Sequence, residues 1–351
     1  MIKLNFVEFS ATTLEVFKKL SIGDLNFGIH NTIFVTDEDR VGVITDGDVR
    51  RAVRKFGYSF SPCDAVNWAP EIFDASSGMS EQAISDDCSK ILNANPNIKI
   101  IPVRVDNVIK MCVFKESEIT QSDVTVVIMA GGLGTRLGEI TKTVPKPMLK
   151  LTSKPILEHI VENLVSEGYT NILISVNHLK EQIIEYFGSG SSHHCSIEYL
   201  VESEPLGTIG CLQLAKIDTK YVFLCNGDLF TRFEVRQLHA YTETKRANFV
   251  VATTSFSSQI PYGVLEYDGD TNHVVAVNEK PTFHFSVAAG QYFFETTLLS
   301  HLGEGYVDAP DFIRNVVSKN HIVRTFSLLN KWIDIGVPSQ LDEARRLIAN
   351  G

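Results

Sequence analysis

The run Val124-Thr125-Val126-Val127-Ile128-Met129 breaks directly into Ala130-Gly131-Gly132-Leu133-Gly134-Thr135-Arg136-Leu137. No other stretch restricts the fold as strongly. A run this dense in β-branched residues is stable only with both faces covered, the environment of a central strand in a parallel sheet. Gly131, Gly132 and Gly134 then let the backbone turn sharply and bring its N–H groups against a ligand that a Cβ would hold away. Arg136, Lys142, Lys146, Lys150 and Lys154 follow, opposed in that span only by Glu139, in a chain whose formal charge is −10. This local reversal of sign points to a polyphosphate ligand.

Spacing excludes two familiar glycine loops. A Walker loop requires Gly-Lys-Ser/Thr after four intervening residues, and none follows here. A dinucleotide fingerprint requires glycine three positions after Gly134, where Leu137 stands. The loop and the Pro145-Lys146-Pro147 that follows it together resemble the signature of the sugar-1-phosphate nucleotidylyltransferases, which make nucleotide sugars. An ordinary strand-to-loop turn is the plain alternative, and the joint occurrence of both halves weighs against it.

A length of 351 residues allows roughly two domains. The negative charge, spread over both halves, argues against nucleic acid or an anionic membrane as the main partner. No apolar run approaches a membrane span, and the first residues lack a signal-peptide core, so a cytoplasmic location is expected. Cys63, Cys88, Cys112, Cys195, Cys211 and Cys225 occur singly, without a CxxC pair. They read as reduced structural thiols, with neither zinc nor disulfides.

Before the glycine loop a pattern occurs twice. Thr32 to Val53 reads as strand, turn, strand, then Asp46-Gly47-Asp48 opening a helix that Asp48 could cap. Lys99 to Ile119 repeats it, with a turn at Asp106-Asn107, and each copy follows an expected helix, Thr12 to Leu20 and Ser85 to Ala94. Two such halves bury their faces against each other. Residues 1–119 thus resemble a tandem pair of CBS domains, an α+β module that commonly binds adenine nucleotides and regulates an attached enzyme. The resemblance implies a regulatory nucleotide at Thr45 and Asp48. Phe114 and Ser117 stand at the corresponding second-half positions, so at most one competent site is implied. A helix cap without a ligand is the structural alternative, and a purely dimerising pair would read the same. Such pairs often associate, which makes a homo-oligomer expected. The polar stretch Ser117 to Asp123 links this module to residues 124–351.

In residues 124–351 strands and helices alternate: a helix from Pro155 to Gly168, strand Asn171 to Val176, helix Leu179 to Phe187 and strand Ile197 to Val201. That succession implies an α/β fold with a mostly parallel, doubly wound, Rossmann-like sheet and ligands beyond the carboxyl ends of its strands. Strands near Asn248 to Phe256, Gly263 to Tyr267 and Val274 to Val277 would build a sugar-side subdomain, and Pro338 to Ala349 a closing amphipathic helix.

The remaining candidates come from the family resemblance, segment by segment. Glu204-Pro205-Leu206-Gly207-Thr208-Ile209-Gly210 resembles the family's Pro-Leu-Gly-Thr-Ala-Gly segment. It implies nucleotide binding by Gly207 and Thr208 beside Gly131, Gly132, Gly134 and Thr135, with Ile209 as a bulkier pocket residue. Tyr221 to Asp228 reads as a buried strand ending in the Asp228 carboxylate, and Asp334 lies in Trp332-Ile333-Asp334-Ile335-Gly336, which resembles the family's Trp-x-Asp-x-Gly. Together they would hold Mg²⁺, a hard cation suited to oxygen ligands. Glu279-Lys280-Pro281 would supply a sugar contact and a grip on the sugar phosphate. Gly290 would contact the sugar, Ala288 replaces a usual polar residue, and Gln291 faces pocket or solvent. Arg136, Lys146 and Lys280 carry the implied catalytic roles.

The implied reaction joins an NTP to a sugar 1-phosphate, releasing pyrophosphate. It needs positioning and charge neutralisation rather than a protein nucleophile or general base. Among relatives carrying a CBS pair, bacterial guanylyltransferases of surface-glycan synthesis are the nearest in kind, including a GDP-glucosamine route to legionaminic acid. That favours GTP with an aminohexose or mannose-type phosphate. Two other readings stand beside it: a nucleotidyltransferase acting on phosphocholine or a similar phosphate, and a catalytically silent nucleotide sensor.

Overall fold

The computed structural model describes residues 5–8, 32–37, 40–57, 61–95, 98, 100–106, 108–114, 121–269 and 273–349. The expected helix from Thr12 to Leu20, together with Asn107 and Ser117, lies outside them. The chain divides into two compact units, Met1–Glu116 with Thr254–Val287, and Ser117–Thr253 with Ala288–Gly351. Among the described residues no helix is long and apolar enough to cross a membrane.

The first unit contains two three-stranded sheets of one pattern. In one, β1 (Asn5–Glu8) runs parallel to β2 (Thr32–Asp37), which pairs antiparallel with β3 (Arg40–Thr45). In the other, β4 (Phe73–Asp74) is parallel to β5 (Ile100–Val105), which is antiparallel to β6 (Val108–Phe114). Phe34, Val43 and Ile109 share an apolar cluster, so the halves bury part of their faces on each other. The helix Asp46–Phe56 is capped by Thr45 rather than by Asp48. Thr45 has the extended backbone that a cap requires, and Asp48 reciprocates from the third helical position: Thr45 N donates to Asp48 Oδ2 at 2.8 Å.

Also in this unit, Gly263–Tyr267 and Val274–Glu279 form an antiparallel pair in which Leu265 faces Val277. Gly57, at φ 66°, leaves room for the His284 ring, whose Nδ1 lies 2.7 Å from where a Cβ would stand. Cys63, Cys88, Cys195, Cys211 and Cys225 carry free thiols, and the side chain of Cys112 lies outside the description.

The second unit is built on a seven-stranded, mainly parallel sheet. Its strands are β7 (Val124–Met129), β8 (Asn171–Val176), β9 (Ser196–Val201) and β10 (Tyr221–Asn226), then residues 249–253 of the longer Phe249–Gln259 and 288–295 of Thr282–Glu295, and Val323–Ser327. β10, β7, β8 and β9 lie side by side and parallel, and Thr282–Glu295 joins β10 antiparallel, Tyr292 opposite Leu224.

β7 shows why its sequence is continuously apolar. Val126 and Ile128 enter one core with Ile156, Leu157, Ile160 and Leu164 of the helix Ile156–Ser166, while Val127 enters the other with Ile209, Leu212 and Phe312. Burying each such side chain contributes about 1.5–3 kcal/mol. With helices over both faces, the carboxyl ends of the parallel strands are left to carry the loops that bind.

Candidate active site

The glycine loop leaves β7 at its carboxyl end, where Ala130 N donates to Ser175 O on β8. Gly134 takes the left-handed conformation, φ 63°, and a Cβ there would stand 3.0 Å from both Lys146 Cβ and Thr141 Cγ2. A Cβ at Gly131 would stand 2.9 Å from Glu202 Oε1, whereas one at Gly132 would meet nothing within 4 Å. Gly131 and Gly134 are therefore glycine for the fold, and Gly132 is free for a ligand. Thr135 and Arg136 are exposed beside it.

Two buried residues that the sequence did not single out fasten the loop. Thr141 Oγ1 lies within hydrogen-bond distance of Gly134 O, 3.0 Å, and Gly138 O, 3.1 Å. Glu202 accepts from Ser175 Oγ of β8 and, through Oε2, from Leu206 N at 3.1 Å, so its carboxylate ties β8 to the Leu206 segment while packing against Gly131 of the loop. Neither carries a spacing signal, because each acts through contacts with distant residues.

Lys146 is only 7% exposed although it carries an ammonium group. Pro145 and Pro147 restrict the backbone on either side. Its Nζ donates to Asp228 Oδ2 and lies 3.6 Å from Asp334 Oδ1. Asp228 follows β10, and Asp334 ends the short strand Trp332–Asp334, which pairs antiparallel with Leu229–Thr231 so that Leu229 faces Asp334. That register, with Ile335 N donating to Asp228 O at 3.2 Å, brings together two carboxylates far apart in sequence. Burial pushes the Asp228 carboxyl above the ordinary carboxylate range, against the opposing pull of Lys146.

The Arg136 guanidinium lies over Gly336, 3.2 Å from where a Cβ would stand, which gives that glycine a steric reason. Arg136, Lys146, Asp228 and Asp334 thus gather beside the glycine loop.

Asp228 Oδ1 and Asp334 Oδ1 are closed to solvent and make no hydrogen bond. Two anionic oxygens left over in one place fit a hard divalent cation such as Mg²⁺, and Asp228 and Asp334 would hold it. Among the described residues no cluster of three or more such side chains occurs, so further ligands would come from phosphate oxygens and water.

The other expected residues have distinct settings. Gly207, φ 81°, passes so close to the 307 backbone that a Cβ would lie 2.5 Å from Val307 O. Thr208 is committed to structure: its hydroxyl donates to Asp308 Oδ1 at 3.2 Å and accepts from Ala309 N at 2.6 Å, at the start of the helix Ala309–Ser318. Ile209 is fully buried in the core, which absorbs the bulk that the sequence suggested for a pocket wall.

Gly290, φ 68°, accommodates the Asn226 side chain, whose Nδ2 lies 2.7 Å from a Cβ position. Gln291 is fully buried with both amide atoms unpaired, so it does not face solvent, and Ala288 is exposed. Glu279 and Lys280 belong to the first unit, where both are exposed, and Lys280 takes a left-handed φ of 49°.

Residues 125–351 match the model of the nucleotidyl transferase family. Mannose-1-phosphate guanyltransferases of Debaryomyces hansenii and Eremothecium gossypii are 28% and 31% identical to the chain, each over 60% of it and 61% of their own length. The chain thus spans about three-fifths of the curated relatives it matches. The structure of HddC from Yersinia pseudotuberculosis complexed with GMP-PN superposes over 64% of the chain and 99% of its own, with a TM-score of 0.50 and 24% identity, a likeness of fold. With the glycine loop, the mainly parallel sheet and the 125–351 match in agreement, the chain belongs to the nucleotidyl transferase family.

Proposed function

We propose that the protein transfers a nucleoside monophosphate from an NTP to a sugar 1-phosphate, giving an NDP-sugar and pyrophosphate. The observation that carries this is the convergence of Lys146, Asp228 and Asp334 beside a glycine loop with one open glycine, Gly132. The names of these relatives, mannose-1-phosphate guanyltransferases, support GTP and a mannose-type phosphate, and an aminohexose phosphate stands beside it on the family resemblance alone.

In this reading the backbone N–H groups of Gly131, Gly132 and Gly134 cradle the triphosphate, and Arg136 neutralises the departing pyrophosphate. Lys146 offsets charge at the α-phosphate. Lys280 holds the sugar phosphate against the repulsion of two anions, and Glu279 and Gly290 orient the sugar. When bound at Asp228 and Asp334, Mg²⁺ supplies charge neutralisation and polarisation of the phosphate. A sugar phosphate oxygen attacks the α-phosphorus and the bond to the pyrophosphate oxygen breaks. That oxygen is already ionised near neutral pH, so no base is needed.

We further assign residues 1–119 to a regulatory CBS pair and the product to surface-glycan synthesis in the cytoplasm, with GDP-glucosamine for legionaminic acid as one route. For a regulatory nucleotide at Thr45 and Asp48, a cleft of about 490 Å³ lined by Asp48, Arg51, Lys55, Phe56, Asp64 and Asn67 supports the Asp48 side, whereas Thr45 caps the helix and enters on the family resemblance alone. Asp48 there is also bound by Arg51. A homo-oligomer goes with this assignment.

Pyrophosphate release with Mg²⁺ across a grid of NTPs and sugar 1-phosphates tests the reaction. Release with one pair, lost in Asp228→Ala, is the expected result. A folded protein that binds nucleotide yet is silent with every pair would sink it.

A further inference from the structure

We infer that Lys146 is the resident counter-ion of the Asp228–Asp334 pair, so that a divalent cation and the lysine compete for the same two carboxylates. This rests on the metal reading of that pair proposed above. The pairing of Leu229–Thr231 with Trp332–Asp334 places Asp334 on paired backbone, and the bond from Ile335 N to Asp228 O holds Asp228 beside it, so the two main chains cannot move apart to relieve the carboxylates' repulsion. Lys146 supplies the compensating charge through its hydrogen bond to Asp228 Oδ2 and its approach to Asp334 Oδ1.

The lysine is free to leave only by its stem. Pro145 and Pro147 restrict its backbone, and its Cβ lies 3.0 Å from the Cβ position of Gly134, so the main chain is fixed while the terminal torsions can turn. A cation on Asp228 Oδ1 and Asp334 Oδ1 would stand beside an ammonium group, and that repulsion drives Nζ from Asp228.

The charge count gives the consequence. Two carboxylates and one ammonium present a net single negative charge to an incoming cation, and without the lysine they present two. A cation alone should therefore bind weakly, and firmly once something else holds the lysine. The glycine loop packs against the base of the Lys146 stem, so a phosphate held there is a natural acceptor for the displaced ammonium. Cation and phosphate would then strengthen one another's binding by the same factor, as linkage requires. Lys146 is in this sense a competitor of the cation until a phosphate takes up its ammonium group.

The test is titration of Mn²⁺ alone, without nucleotide, followed by the paramagnetic signal of the free ion. Wild type, Lys146→Met, Lys146→Arg and Asp228→Asn are compared. The inference expects Lys146→Met to bind Mn²⁺ about tenfold or more tightly than wild type, and Lys146→Arg to stay within about threefold of it. Asp228→Asn should lose the site. Equal or weaker binding by Lys146→Met, with wild-type binding still dependent on Asp228, overturns the counter-ion role and leaves the metal reading standing. Undiminished binding by Asp228→Asn overturns both. Lys146→Met leaves two carboxylates unpaired and could fold poorly. Lys146→Gln, which can still donate to Asp228, carries the same expectation. The Mn²⁺-induced rise in Tm is a second readout, expected to be larger in either neutral variant than in wild type and contradicting the inference if it is not.

Discussion

Gly132→Ala and Gly134→Ala separate what the glycine loop does for the fold from what it does for a ligand. At Gly134 the backbone is left-handed, and an added Cβ would stand 3.0 Å from Lys146 Cβ and Thr141 Cγ2. The conformation alone costs a non-glycine residue about 1–2 kcal/mol. Making room for the methyl group raises the total to about 2–5 kcal/mol. At Gly132 φ is not positive and the Cβ would have open space. Stability there should be unchanged or raised by about 0.5 kcal/mol through the unfolded chain.

The order reverses for the ligand. A methyl group at Gly132 would hold off a phosphate oxygen from the backbone N–H groups, and losing one charge-assisted hydrogen bond costs about 1.5–3 kcal/mol, or roughly ten- to a hundredfold in affinity. Urea unfolding and NTP titration on both variants make the comparison. The reasoning is refuted if Gly132→Ala binds NTP like wild type, or if it unfolds as early as Gly134→Ala.

Further outcomes follow from the same contacts. Gly336→Ala would press on the Arg136 guanidinium, a flexible side-chain end, so unfolding should shift by less than about 1 kcal/mol while kcat/KM falls roughly tenfold. Thr208→Val removes the hydroxyl between Asp308 and Ala309 N and should cost about 1–2 kcal/mol in urea unfolding. Burial raises the Glu167 carboxyl from 4.5 to about 7, so the folded chain keeps a proton that the unfolded chain has lost. Its contribution is present in full below pH 4.5 and is lost as pH rises to about 7. Glu167→Gln should therefore be about 1–2 kcal/mol more stable than wild type at pH 8, with the difference vanishing near pH 4, by urea unfolding at both values.

The parallel sheet was legible because its signals are local. The β-branched run of β7 and the 3.6-residue spacing of Ile156, Leu157, Ile160 and Leu164 each encode burial within a dozen residues. The glycine loop and its cations were legible for the same reason. The partner of Thr208 was not, because Asp308 lies a hundred residues away and only the fold brings it near. Ile209 reads as a pocket residue in its glycine-flanked segment, yet the helix turn directs it into the core.

The two aspartates were placed by family resemblance. The three-residue strands that join them are too short to show a period, so their meeting is visible only in the structure. Thr254–Val287 groups with the N-terminal residues for a like reason: its neighbours, such as Gly57 beside His284, are over two hundred residues distant. Glu202 and Thr141 show the general limit, since a carboxylate or hydroxyl that fastens a loop looks in sequence like any surface polar residue.

The fate of the nucleotide's phosphorus tests the central claim most directly. The protein is supplied with Mg²⁺, a sugar 1-phosphate and an NTP labelled at the α-phosphorus, and the products are separated. The account predicts that the label appears in an NDP-sugar whose second phosphorus comes from the sugar phosphate, with pyrophosphate released in equal amount. Label retained in a nucleoside diphosphate, or freed as a nucleoside monophosphate without sugar, would contradict it.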